Sequence, residues 1–95
     1  MLSEKTIEKY LIKLCKEEGW ECIKLIDQGR AGFPDRTVLK AMGDHFFVEV
    51  KREDGKVSKI QAHRIRKLRL LGHRVYVPHS KDEIDRLMGM ERANG

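Results

Sequence analysis

Asp35, Glu49 and Lys51 are two carboxylates and an amine that one short hairpin can gather. Glu49 and Lys51 lie in Phe46-Phe47-Val48-Glu49-Val50-Lys51, an aromatic and β-branched run that reads as a strand. Residues i and i+2 of a strand share a face, so Glu49 and Lys51 point one way and Val48 and Val50 the other. Asp35 closes the stretch Gly32-Phe33-Pro34-Asp35, where Pro34 fixes its own φ and restrains Phe33 toward extended geometry. A β-prone run, Thr37-Val38-Leu39-Lys40, follows and turns at residues 41–44, and its pairing with the Glu49 strand brings Asp35 beside Glu49. Like charges held together repel unless a cation joins them. That is the arrangement a metal-dependent hydrolase needs.

Phosphodiester hydrolysis requires an in-line nucleophile, neutralisation of charge at phosphorus and help for the leaving oxygen. Mg²⁺ prefers hard oxygen ligands and keeps several waters. Asp35, Glu49 and the carbonyl of Val50 supply such oxygens. Glu8, on the core-facing arc of a first helix, could bind the same ion or a second one, directly or through water. Lys51 is placed to orient the attacking water and hold a phosphate oxygen, and Gln61 to hydrogen-bond Lys51 or that water. Each piece has an ordinary explanation by itself: an Asp after Pro is often a turn residue, and Glu-x-Lys often a solvated sheet face. Their convergence on one hairpin, with Glu8 and Gln61 both misplaced for plain core residues, favours chemistry.

The elements that must position these groups follow from periodicity. Ser3 caps a helix to about Glu18, with Ile7, Tyr10, Leu11, Leu14 and Cys15 at helical spacing. Trp20 to Ile26 reads as a strand, and residues 27–32 as a loop into Phe33-Pro34-Asp35. After the hairpin, a basic helix spans Ser58 to Leu71, with a stripe of Val57, Ile60, Ile65, Leu68 and Leu71 that also contains Gln61 and Arg64. His73 to Val77 is a last strand, and Ser80-Lys81-Asp82-Glu83 a capping box opening a short helix through Met88. The order is α-β-β-β-α-β-α. The helix between the Glu49 strand and the last strand fits a crossover, which makes that pair parallel. We expect an α/β fold: one domain over residues 1–88, a mixed sheet flanked by helices, and a disordered tail over residues 89–95.

The chain has 95 residues, a net charge of +5, 37% charged residues and a pI near 9.4. A basic domain of this size suits a polyanionic partner. Cys15 and Cys22 have neither disulfide-framework nor CxxC spacing and read as free thiols in a reducing cytoplasm, bacterial or that of a virus-infected host cell. No apolar run is long enough to span a membrane, and charges from Glu4 onward exclude a signal sequence. The four histidines lack zinc spacing. Aromatic residues read as core, with Phe33 the exception that could stack on a base.

Pro34-Asp35 followed by Glu49-Val50-Lys51 resembles the PD-(D/E)xK nuclease signature. The fuller string resembles the virus-type replication-repair nuclease domain, VRR-NUC: Gly32-Phe33-Pro34-Asp35-Arg36, Val48-Glu49-Val50-Lys51, Gly55-Lys56-Val57-Ser58 and Gln61. The resemblance implies a restriction-endonuclease-like core and Mg²⁺- or Mn²⁺-dependent cleavage of DNA. It assigns metal binding to Asp35, Glu49 and the Val50 carbonyl, catalysis to Lys51, and supporting roles to Glu8 and Gln61, with Glu4 the alternative first-helix acid. One site per chain makes a homodimer the natural way to cut a Holliday junction symmetrically. Arg30, Arg36, Lys56, Lys59 and Arg64 are the candidate phosphate contacts. The alternatives are a flap or other branched-DNA nuclease, and a non-catalytic DNA-binding module using the basic helix. The latter leaves the inward acids unexplained.

Overall fold

The computed structural model describes residues 1–25 and 31–94. Helix α1 (Glu4–Glu17) starts at Ser3, whose hydroxyl accepts the Thr6 amide hydrogen. Strands β1 (Glu21–Lys24), β2 (Arg36–Leu39) and β3 (His45–Val48) follow, with a 3-10 turn at Ala41–Gly43 between the last two. Helix α2 (Lys59–Leu70), strand β4 (Val75–Tyr76) and helix α3 (Lys81–Ala93) complete the chain. The sheet order is β1-β2-β3-β4, antiparallel at the first two pairings and parallel between β3 and β4. This is the mixed sheet with flanking helices, in the order α-β-β-β-α-β-α, that the sequence predicts.

Strand alternation divides the core in two. Val38, Phe46, Val48 and Val50 pack with Ile7, Leu11 and Cys15 of α1 and with Ile84, Leu87 and Met88 of α3. On the opposite face, Phe47 and Val75 pack with Ile65 and Leu68 of α2, with Phe33 at the margin. Phe33 stands edge-on to Phe47 at 5.5 Å and props the loop before Asp35 on the core. The stripe on α2 is shorter than its periodicity suggests: Ile65 and Leu68 are buried, while Ile60 and Leu71 are exposed because they sit at the two ends of the helix. Cys15 is buried, Cys22 is half-buried, and both are free.

The expected disordered tail is corrected. Helix α3 continues to Ala93 and carries a fully buried Glu91. Glu91 accepts from Arg74 Nε at 2.7 Å, Tyr76 Oη at 2.6 Å and Lys40 Nζ at 3.0 Å. Arg74 also donates to both carboxylate oxygens of Asp44 at 2.9 Å. These partners lie on β4, just before it and on the β2–β3 hairpin, distant in sequence, so no local pattern marks residues 89–93 as ordered. The capping box expected at Ser80 is modified too: Ser80 Oγ accepts the Glu83 amide, but the Glu83 carboxylate takes the His79 amide instead of that of Ser80.

Candidate active site

The site forms where β2 and β3 part. Their ladder ends at Arg36 opposite Val48, and one step further places Asp35 opposite Glu49. Beyond that point the Glu49 segment stays paired on its other side only, through Glu49 N–H to the Tyr76 carbonyl at 2.9 Å and Lys51 N–H to the Pro78 carbonyl at 3.0 Å. Asp35 in turn gives its carbonyl to Leu25 N–H at 2.7 Å. The two strands are thus each held from outside, and the fork between them opens at the carboxylates. Pro34, next to Asp35 on the other arm of the fork, is fully buried and has no N–H to give to a partner strand.

Glu49 is only 1% exposed. One carboxylate oxygen accepts the Asp35 amide at 3.2 Å; the other accepts Gln61 Nε2 at 3.4 Å and lies 3.5 Å from Lys51 Nζ. Burial, then the neighbouring Asp35 carboxylate, pushes the Glu49 carboxyl up to about 7, against the pull of Lys51. Such a pair lowers its repulsion by sharing a proton or a cation. The donors are hard oxygens: two carboxylates and a backbone carbonyl. They suit a Mg²⁺-like ion, which uses one or two carboxylates and retains waters.

Helix α2 supports the fork from one side. Ser58 caps it, with its Oγ accepting the Gln61 N–H at 3.1 Å and its own N–H donating to Gln61 Oε1 at 2.9 Å. Gly32 lies against the same turn: a Cβ there would come within 2.6 Å of the Ile60 carbonyl oxygen. Ser58 and Gly32 are the contributors that residue chemistry alone overlooks. The Ser-x-x-Gln spacing is the signal that marks the first.

The other expected residues separate. Glu8 does not join Asp35 and Glu49; its carboxylate pairs with Arg36 Nε at 2.9 Å. Alternation explains this, because Arg36 follows Asp35 and so turns to the opposite face, where α1 packs. Among the described residues no group of three acidic, histidine or cysteine side chains is placed to hold a metal. Arg36 is therefore committed to Glu8 and is not a free phosphate contact. Lys56 and Lys59 are exposed beside the Ser58 cap, and Arg64 is half-buried on α2. Arg30 lies outside the described residues, and Glu4 is exposed in the first turn of α1. A groove of about 440 Å³ between α2 and the β4 end is lined by Val57, Ile65, Leu70, Val77 and His79, away from the acids.

Three comparisons bear on this geometry. The VRR-NUC domain model matches residues 2–82. "Putative nuclease p44" of Acyrthosiphon pisum secondary endosymbiont phage 1 is 35% identical over 82 residues, covering 86% of this chain and 88% of the phage protein. A solved structure titled "VRR_NUC domain" superposes with a TM-score of 0.85 at 30% identity, covering 93% of this chain and 97% of its own. A second, titled "VRR_NUC domain protein", gives a TM-score of 0.76 at 16% identity over 95% of this chain and 88% of its own, a likeness of fold.

Proposed function

The chain belongs to the VRR-NUC domain family of nucleases, and from that membership we propose that it is a metal-dependent endonuclease acting on branched DNA, four-way junctions foremost, as a homodimer. The observation that carries this reading is the meeting of Asp35 and Glu49 at the fork, where the Asp35 N–H donates to Glu49 Oε1 at 3.2 Å and Lys51 Nζ lies 3.5 Å from Glu49. Asp35, Glu49 and the Val50 carbonyl would hold Mg²⁺, with Mn²⁺ able to substitute. When bound, such an ion neutralises charge on the phosphate and acidifies water.

The chain's own residues do the rest. Lys51 stands beside the carboxylates to orient the attacking water and hold a non-bridging phosphate oxygen. Gln61 keeps Glu49 aimed at the fork. Glu8 acts at one remove: by binding Arg36 it anchors the start of β2, so that Asp35 is presented on the other face. Lys56 and Lys59, with Arg30 and Arg64, supply phosphate contacts. The fork is open at strand ends, which suits a polymeric substrate. A junction has two symmetric strands to cut and each chain one site, which is the reason to propose a twofold dimer. A reducing cytoplasm is the proposed compartment, in keeping with two free thiols. Among the described residues no helix is long and apolar enough to cross a membrane.

The test is cleavage of a labelled four-way junction, a flap and a linear duplex in Mg²⁺, Mn²⁺ or EDTA, with wild type and Asp35→Ala. Paired symmetric cuts in the junction, abolished by EDTA and by Asp35→Ala, are the expected result. Cutting of flaps or duplex alone would leave a nuclease and remove junction resolution. Binding without cutting of any substrate would replace the enzyme with a basic DNA-binding module.

A further inference from the structure

The first turn of α2 touches both segments that carry the carboxylates. It meets the Asp35 loop where Gly32, at φ 80°, lies against Ile60. It meets Glu49 through Gln61 Nε2 at 3.4 Å. The Gln61 amide has one acceptor end and one donor end. Its acceptor, Oε1, is taken by the Ser58 N–H at 2.9 Å, while the Gln61 backbone N–H goes to Ser58 Oγ at 3.1 Å. With Oε1 turned to the cap, the NH₂ group is the end that faces Glu49. Rotating the amide by half a turn would break the bond to Ser58 and set a carbonyl oxygen against a carboxylate. The cap that starts the helix is thus the same device that selects the orientation of Gln61.

We propose that Ser58 is a positioning residue of the active site, acting on Glu49 through Gln61. The inference rests on the nuclease reading for what Glu49 does, and on the distances above for how it is held. Ser58 acts through Gln61 in two steps: its hydroxyl takes the Gln61 N–H and so fixes the first turn of α2, and that turn brings the Gln61 amide to the Ser58 main-chain N–H that orients it. Groups that orient a metal ligand in this way typically change metal affinity or activity by about 10–100-fold when removed.

The experiment titrates Mn²⁺ alone into wild type, Ser58→Ala, Ser58→Thr, Gln61→Ala and the Ser58→Ala/Gln61→Ala double variant. Melting curves and DNA cleavage are measured on the same preparations. Ser58→Ala should weaken Mn²⁺ binding and slow cleavage by about tenfold or more. Ser58→Thr, which keeps a capping hydroxyl, should restore both. The double variant should bind Mn²⁺ no more weakly than Gln61→Ala, because the two residues act in series. Wild-type Mn²⁺ affinity in Ser58→Ala, or losses that add in the double variant, would overturn the proposal. So would a cleavage defect that tracks melting temperature and vanishes at a lower assay temperature. A wild type that binds Mn²⁺ but cuts no DNA, with binding weakened in Ser58→Ala, would support the positioning role while removing the nuclease reading. A wild type that neither binds Mn²⁺ nor cuts would remove both.

Discussion

Glu49 and Glu91 are both almost fully buried, and their surroundings treat them in opposite ways. Burial raises each, but Glu91 is held below the usual carboxylate range by Arg74, Tyr76 and Lys40 together. Glu49 has one lysine against burial and the Asp35 charge, and rises to about 7. For Glu49 the native state binds its proton more tightly than the unfolded chain does. In EDTA its contribution to stability is therefore most favourable below the ordinary glutamate pKa and falls as pH rises toward 7. Glu49→Gln should flatten the pH dependence of urea unfolding between about pH 4.5 and 7. An unchanged slope would mean the carboxylates are not coupled. Under the proposed function Mn²⁺ would bind the ionised pair, and the stabilisation it adds should then grow with pH over the same window. Glu91 has the reverse sign: its stabilising effect is complete above the ordinary pKa and is lost as pH falls through its depressed value.

At the scale of elements, the Asp35 loop depends on α2 and the end of α3 depends on the hairpin. Gly32→Ala forces a Cβ into the Ile60 backbone at a positive φ, whereas Gly72, at φ 95°, has no neighbour within 4 Å of where a Cβ would stand. Gly72→Ala should cost about 1 kcal/mol from backbone strain and leave cleavage intact. Gly32→Ala should lower stability further and reduce cleavage at a temperature where the protein is still folded. Equal cleavage in the two variants would show that the loop tolerates displacement from α2. Glu91→Ala removes the carboxylate shared by Arg74, Tyr76 and Lys40 at the packed end of the sheet. A loss of about 3–5 kcal/mol is expected from removing one partner of a buried charged network. A melting temperature within a few degrees of wild type would show that solvent replaces those bonds.

Across the whole molecule, a net charge of +5 coexists with an acidic fork, and the proposed function puts attraction to DNA and the cutting of it on different residues. Exposed Lys56 and Lys59 flank Ser58, the cap of α2. In EDTA, junction binding should weaken steeply with salt. Replacing both lysines by alanine should reduce the slope of log affinity against log salt by about 2, since each phosphate contact releases roughly one counterion. A slope unchanged in the double variant would move the DNA path off this edge.

Much of this protein is determined by one-dimensional pattern. Period-two alternation alone places Glu49 and Lys51 together and Val48 and Val50 opposite, and the length of the hairpin brings Asp35 across from Glu49. Ser3, Ser58 and Ser80 mark their helix starts because capping is local. Pro34, read as a rigid turn residue, is also fully buried, which its place in a Gly-Phe-Pro-Asp loop does not show. What the sequence leaves open concerns which face each helix covers. Periodicity shows that Glu8 lies on the core side of α1 but not that α1 packs opposite α2, and that choice commits Glu8 to Arg36. In the same way Glu91 reads as a polar residue in a terminal tail until Lys40, Arg74 and Tyr76 are brought to it. A buried charge is stable only where distant partners meet it, and those partners are assembled by the tertiary fold.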